Sequence, residues 1–491
     1  MLNPPLETVK GLLSGYQMVP VAASRLMDRS TPVGIFSTLK AFCEDCFLLE
    51  SVERSEQWGR YSFLGIHPKS KITIRGGIAE FEENGSVRSE RVEDPAGYLA
   101  KIVREYGSPR LPGFPRFTGG LVGYFGYDLL RYLEKKLGSA PEDDLGLPDC
   151  ELALYDEVIA FDHLSSRVFV ILNVRRGGNT AAQYEACEAR AREILRELEM
   201  GKAKEPAVPG YDPGKIEVCS NLSKERFCAM VKEAKGYIRA GDIFQVVLSR
   251  RFEIENPPDP FKVYRVLRAA NPSPYLYYIR SDGYCIVGAS PEMLVNVTDG
   301  VVTNKPIAGT SRRSADEAED ERLERELLAD EKERAEHTML VDLGRNDVGR
   351  VCRYGTVEVK DFMHVEHASK VMHLVSEVTG VLREDKTAED ALLSVLPAGT
   401  LSGAPKIRAM QIIDGLEDKK RGVYGGAIGY LGFDGNIDTC IAIRTALFRN
   451  GKAYVQAGAG IVADSVPEKE YEETENKALA VLGAIQEAKR L

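Results

Sequence analysis

Up to about residue 200 the chain alternates short apolar runs with polar and glycine-rich breaks. CFLLESV, KITIRGGIAEF and RVFVILNV have the length and patterning of strands, and one longer helical periodicity covers Gln183 to Met200. The stretch 201–215, GKAKEPAVPGYDPGK, holds three prolines and three glycines with no apolar period, so it reads as a linker or a domain crossing. It predicts a boundary near 205, with an N-terminal region 1–205 and a second region 206–491. Beyond it FQVVLSRRFEI, YLYYIR, YCIVGAS, MLVNV, VMHLVSEVTGVL, AIGYLGF, TCIAIRTALF and KAYVQAGAGIV are strand-like and are interrupted by helices. The pattern predicts an α+β fold, a large antiparallel β-sheet core flanked by helices. No repeat of 20–50 residues is visible, which argues against a solenoid.

With 491 residues, 44% hydrophobic and 28% charged, the chain can bury more than one core. A net charge of −10 speaks against nucleic acid or an anionic membrane as partner, since both demand a basic field. The start, MLNPPLETVKGLL, lacks a basic segment followed by an apolar one, and no run nears the roughly 18 apolar residues of a membrane span. A cytoplasmic location is the expectation. Nine cysteines are too sparse for a disulfide scaffold, and the pair Cys43 and Cys46 has no second pair to complete a zinc site. An anionic substrate would need local positive charge or a metal ion.

Residues 316–336 carry eleven acids against four bases, and for most of them a solvated helix face is the reading. Glu336 differs: with Leu340 and Leu343 it falls at i, i+4 and i+7, on the inward stripe of its helix. Ser465 and Glu468 form a capping-box pattern, and the helix after them presents Glu470, Glu473 and Lys477 on one face. By spacing alone that trio is first an exposed ion-pair ladder. Gly458 and Gly460 just before it would let a ligand approach the backbone, though no GxGxxG follows and a dinucleotide fold is rejected. His364, His367 and His373 lack the spacing of a zinc hydrolase. Strand alternation puts Val371, His373 and Val375 on one face, so His373 is a satisfied core histidine or a site acid/base, the first being favoured by spacing alone.

The ordered motifs GDIFQVVLSRRF, GASPE, PIAGT, AEHTMLVDLGRND, VMHLVS, PAGTLSGAPK, GVYGGAIGYL, CIAIRTA and QAGAGIVADSVPEKEYEETENK resemble the chorismate-utilising enzyme family over residues 220–485. LLES, WGRYSFLG and NPSPYLYYIR are similar to its anthranilate synthase large-subunit branch. The resemblance implies that Glu336 and Glu473, with Glu470 nearby, hold Mg²⁺, for which hard carboxylate oxygens are suited. It implies that Arg444, Tyr424, Gly458 and Gly460 receive the enolpyruvyl carboxylate of chorismate, and that Thr310, Thr400 and Lys477 contact or flank the substrate. Glu292 is implied as the general acid for departure of the C4 hydroxyl, and His373 as the residue serving pyruvate elimination.

Water-using members of the family carry a lysine where this chain has Gln245, and aminodeoxychorismate synthases carry one where it has Ala308. External ammonia is then the nucleophile. The resemblance further implies a separate glutamine amidotransferase small subunit as ammonia source. It also implies feedback inhibition by tryptophan at Leu49, Glu50, Ser51, Arg60, Pro274, Tyr275 and Leu276. Two alternatives are weighed: an aminodeoxychorismate synthase, disfavoured by Ala308, and an inactive tryptophan-binding scaffold, disfavoured because every matched site residue is present.

Overall fold

The computed structural model describes residues 1–40, 43–51, 59–200, 216–367 and 371–491. The expected linker 201–215, with the boundary near 205, lies outside the described residues, as does Trp58 of WGRYSFLG. The core is two antiparallel sheets of twelve strands each, with helices outside them, as the periodicity predicts. The first sheet runs Met18–Leu26, Arg167–Arg175, Glu157–Asp162, Tyr61–Ile66, Cys46–Glu50, Tyr275–Ser281, Tyr284–Ser290, Thr445–Arg449, Lys452–Ile461, Gln245–Glu255, Val218–Ser220, with Gly403–Ala404 paired to Gln245–Glu255 as its twelfth strand. The second runs Ser86–Arg91, Ile78–Glu83, Ser70–Arg75, Cys150–Tyr155, Gly120–Phe125, Ala427–Gly432, Ile437–Ile441, Met293–Thr298, Val301–Asn304, Val371–Val381, Ile307–Arg312, with Glu358–His367 paired to Val371–Val381 as its twelfth strand.

Period-2 alternation sorts the strand residues into layers. On Cys46–Glu50, Cys46 and Leu48 join the core beneath helices Thr180–Met200, Pro260–Ala270 and Pro467–Ala488, while Phe47 points between the sheets. On Gly120–Phe125, Leu121 and Phe125 face helices Pro95–Glu105 and Ala388–Val395, while Val122 and Tyr124 point inward. Helix, sheet, sheet and helix are thus stacked. Aromatic rings fill the middle, with Phe47 against Tyr155 at 4.7 Å and Phe117 against Tyr430 at 4.4 Å between centroids. Each such ring contributes roughly 1.5–3 kcal/mol by leaving water.

Both sheets cross the sequence midpoint, and each half lays its strands in the same order. Cys46–Glu50 pairs with Tyr275–Ser281 at the seam of the first sheet, and Gly120–Phe125 pairs with Ala427–Gly432 at the seam of the second. Outward from those seams the ladders match step for step. Phe47 faces Gly65 as Tyr277 faces Gly288, and a methyl on either glycine would come within 2.1 Å or 2.3 Å of the facing ring. The strings GGLVGYFGYD and GGAIGYLGFD, beginning at Gly119 and Gly425, are the sequence trace of this duplication. It escapes a search for short repeats because the repeating unit is half the chain.

TCIAIRTALF corrects one expectation, since it is two strands. Ile437–Ile441 belongs to the second sheet and Thr445–Arg449 to the first, and between them the chain turns a corner at Arg444 (φ +52°). A left-handed residue departs from regular strand geometry and here redirects the chain. A second corner lies beside it, where Tyr284–Ser290 of the first sheet leads through Pro291 and Glu292 into Met293–Thr298 of the second.

Candidate active site

Glu292 and Arg444 stand on these adjacent corners, where side chains leave the ladders and open into a cleft. Ile441 N–H donates to the Glu292 carbonyl at 3.0 Å, fixing one corner on the other's strand. Burial pushes the Glu292 carboxyl up to about 7, although the Thr400 hydroxyl, donating to it at 3.0 Å, and the Lys477 ammonium both pull it down. Burial lowers the pKa of the Arg444 guanidinium, with Tyr424 and Glu473 opposing, and its Nη1 donates to the Lys477 carbonyl.

The floor is the pairing of Gln245–Glu255 with Lys452–Ile461, in which Val247 faces Gly460 and Ser249 faces Gly458. A methyl on Gly458 would lie 2.8 Å from the Tyr424 hydroxyl, and one on Gly460 2.6 Å from the Gln245 amide nitrogen. Tyr424 and Gln245 therefore lie against bare backbone, which is what glycine supplies here. Lys477 ties helix Pro467–Ala488 to this floor, donating to the Gly458 carbonyl at 3.1 Å and pairing with Glu473 at 2.6 Å.

That helix begins differently from the expectation. Pro467 takes its first position behind Val466, with no side-chain cap, and Ser465 instead accepts from Val462 N–H at 3.0 Å. Proline suits a first turn because its φ is preset and its missing N–H would be unpaired there.

Opposite stands helix Glu331–Gly349. Glu336 lies on its inward side, with Leu340 buried and Leu343 half-buried one and two turns on, as the spacing predicts. Burial and then neighbouring Glu333 raise the Glu336 carboxyl, and Glu473 across the cleft adds to this. Glu470 is raised by burial and by Glu473, and Glu333 by burial and Asp330. Four carboxylates thus face one another with Lys332 and Lys477 between them. Among the described residues no three potential ligands stand close enough together to enclose an ion. In kind the donors fit a hard divalent cation, being all carboxylate oxygen and mutually repelling.

His373 and Thr310 are opposite residues of a strand pair, and the imidazole Nδ1 is 3.0 Å from the Gly309 carbonyl and 3.1 Å from the Thr310 hydroxyl. A carbonyl only accepts, so Nδ1 is the donor to Gly309 and Nε2 is the ring nitrogen left for other work. A methyl on Gly309 would meet the Glu333 carboxylate at 3.2 Å, which brings this pair to the rim of the acidic cleft. His364 and His367 are engaged elsewhere, with Glu366 at 3.2 Å and Glu324 at 3.1 Å. Burial raises both the Cys43 and the Cys46 thiol, the second to about 12, opposite to the behaviour of metal-binding thiolates.

A separate apolar cavity lies between the sheets at their seam, lined among others by Leu49, Ser51, Tyr275, Tyr277, Met293 and Tyr430. Glu50, Pro274 and Leu276 also border it. The Glu50 carboxylate is bound by Tyr264 and by Arg268 at 2.8 Å, and the Leu276 side chain belongs to the outer core. Arg60 pairs with Asp162 at 2.8 Å.

Sequence reasoning missed a buried hub beneath the floor. Arg421 is 3% and Glu417 6% exposed; the guanidinium binds the carboxylate through two bonds of 2.8 and 2.6 Å. An acid and a base at i, i+4 was the available signal, but the helix before them ends at Leu416.

The chorismate binding enzyme family matches residues 44–483, and the chain belongs to it. Relatives named anthranilate synthase component 1 include one from Acetivibrio thermocellus, 53% identical over 99% of both chains, and one from Aquifex aeolicus, 45% identical over 99% of this chain and 98% of its own. Among solved structures, anthranilate synthase component I from Streptococcus pneumoniae is 43% identical, with a TM-score of 0.77 over 86% of this chain and 92% of that one. A menaquinone-specific isochorismate synthase from Escherichia coli, 18% identical over 98% of both chains with a TM-score of 0.70, shares the fold. No described helix is long and apolar enough to cross a membrane.

Proposed function

We propose that the chain is the aminating component of an anthranilate synthase. It would add ammonia at C2 of chorismate with loss of the C4 hydroxyl as water, then release pyruvate to leave anthranilate. The observation that carries this reading is Glu292. Hydroxide leaves poorly, and a carboxyl held near neutrality by burial can give it a proton at physiological pH, whereas an ordinary glutamate has already lost its own. The Thr400 hydroxyl holds this carboxyl in place.

Arg444 offers a guanidinium fork to the enolpyruvyl carboxylate, beside the Tyr424 hydroxyl that the bare backbone of Gly458 admits and the Gln245 amide that Gly460 admits. Lys477 adds positive charge, and Thr310 lies at the rim for the ring. Glu336, Glu473 and Glu470 are the oxygens that would hold Mg²⁺, whose charge neutralises the ring carboxylate. Gln245, in place of a lysine base, suits ammonia, which attacks with its own lone pair. With Nδ1 bound to the Gly309 carbonyl, His373 would use Nε2 to take the C2 proton as pyruvate departs.

Ammonia would come from a glutamine amidotransferase subunit, since most free ammonia is protonated near neutral pH. Tryptophan would act as inhibitor in the inter-sheet cavity, where Tyr275, Tyr277 and Tyr430 offer aromatic walls for an indole. The test is incubation of the purified chain with chorismate, Mg²⁺ and ammonium, followed by anthranilate fluorescence. Anthranilate is expected with ammonium and not with glutamine alone; isochorismate or an aminated product retaining the enolpyruvyl group would overturn the reading.

A further inference from the structure

The Arg421–Glu417 pair has no part in the chemistry above, yet its bonds reach the parts that do. Arg421 Nη1 donates to the Leu401 carbonyl at 2.6 Å, one residue from Thr400, and Nη2 donates to the Val247 carbonyl at 2.7 Å, two residues from Gln245. Glu417 Oε1 accepts from Ser249 N–H at 2.7 Å and from its hydroxyl at 2.9 Å, on the strand residue that faces Gly458. Val247 N–H closes the circuit onto the Ser402 carbonyl at 2.9 Å. One guanidinium thus clamps the Thr400 loop, the Gln245 strand and the turn into Tyr424.

The duplication supplies a control for whether the fold itself needs such a clamp. Thr118 corresponds to Tyr424, and counting back from both brings Pro115 and Leu111 to the positions of Arg421 and Glu417. The N-terminal half reaches its matching strand Gly120–Phe125 through a different turn, in which Phe114 N–H donates to the Leu111 carbonyl at 3.2 Å where the C-terminal half has Tyr424 N–H donating to the Arg421 carbonyl at 3.2 Å, and Pro115 and Leu111 offer no ion pair. A buried pair is a poor source of net stability and a good source of fixed geometry.

We propose that Arg421, with Glu417 as its counter-ion, is a positioning residue that holds the Thr400 hydroxyl on Glu292. This rests on the chorismate-aminating reading. Turnover of the unsubstituted chain with chorismate, Mg²⁺ and ammonium is measured first, and its absence would sink that reading alone. Arg421→Lys, which cannot keep the forked geometry, is then expected to lower kcat about 10–100-fold with KM for chorismate changed less than about threefold. The deciding measurement is a cycle with Thr400→Val. If Arg421 acts through Thr400, the double variant falls within about twofold of Thr400→Val alone. Penalties that multiply would overturn the proposal. Should Arg421→Lys fail to fold, Glu417→Gln, which keeps the volume and removes the counter-charge of Arg421, replaces it in the same cycle with the same two outcomes, and a single variant with unchanged kcat would overturn the proposal.

Discussion

At the corner where the chain leaves the first sheet for the second, the N-terminal half reads Gly65-Ile66-His67-Pro68-Lys69 and the C-terminal half Gly288-Ala289-Ser290-Pro291-Glu292. The matched ladders set Lys69 where Glu292 stands and, at the return corner, Glu157 where Arg444 stands. They also set Asn173 and Arg175 where the other half has Gly458 and Gly460. In the N-terminal half these positions are closed. Asn173 donates to the Thr118 carbonyl at 2.9 Å and to the Asp156 carbonyl at 3.0 Å, and the Arg175 guanidinium lies over the Tyr106 ring at 4.6 Å. Lys69 pairs with Asp156 at 3.6 Å, and Glu157 with Arg190 at 2.9 Å. One architecture thus yields two differently filled corners, and the difference is a few side chains: in one half they bond to their own half, and in the other Tyr424 and Gln245 lie over bare glycine backbone.

The largest effect should come from Glu292→Gln, which keeps volume but cannot give up a proton. A loss in kcat of about 10²–10⁴-fold is expected, whereas Lys69→Met at the matching position should leave kcat within about twofold. Steady-state rates on both variants would break the comparison if they fell alike. Copying the plug across the duplication comes next. Gly458→Asn should drive a side chain into the Tyr424 hydroxyl and cost on the order of 10²-fold in kcat/KM, while Asn173→Gly changes thermal stability with little kinetic effect. Normal turnover by Gly458→Asn would mean that the floor need not be bare.

The pH dependence gives a smaller but signed effect. Glu292 is raised, so it is protonated below about 7 and ionised above. With free ammonia held constant, kcat should fall as pH rises through about 7, by about tenfold per unit beyond it, and Glu292→Gln should lose this limb. A limb unchanged in that variant would assign it to another group. Smallest is Ser51→Phe at the seam between the halves. Filling the cavity there should weaken tryptophan binding about tenfold or more by calorimetry, and unchanged affinity would remove this cavity as the inhibitor site.

Much of this was legible in the residues alone. Alternation gave the strands, helical spacing put Glu336 on an inward face, and the motifs named the groups that occupy the corners. The GGLVGYFGYD and GGAIGYLGFD strings also lay in plain view, as the trace of a repeat too long for a short-period search.

Periodicity reports only which way a residue faces its immediate surroundings, because burial on one side of a strand sets the pattern whatever lies beyond. It could not say that TCIAIRTALF changes sheets at Arg444, that the strands before and after the linker share both sheets, or that Glu417 and Arg421 meet under the floor. Those facts depend on pairing between distant segments, which no local pattern encodes. The proton on Glu292 is of the same kind. The sequence supplied a glutamate after a proline, and only the fold decided that it would be surrounded by protein instead of water, which is what lifts its carboxyl toward 7.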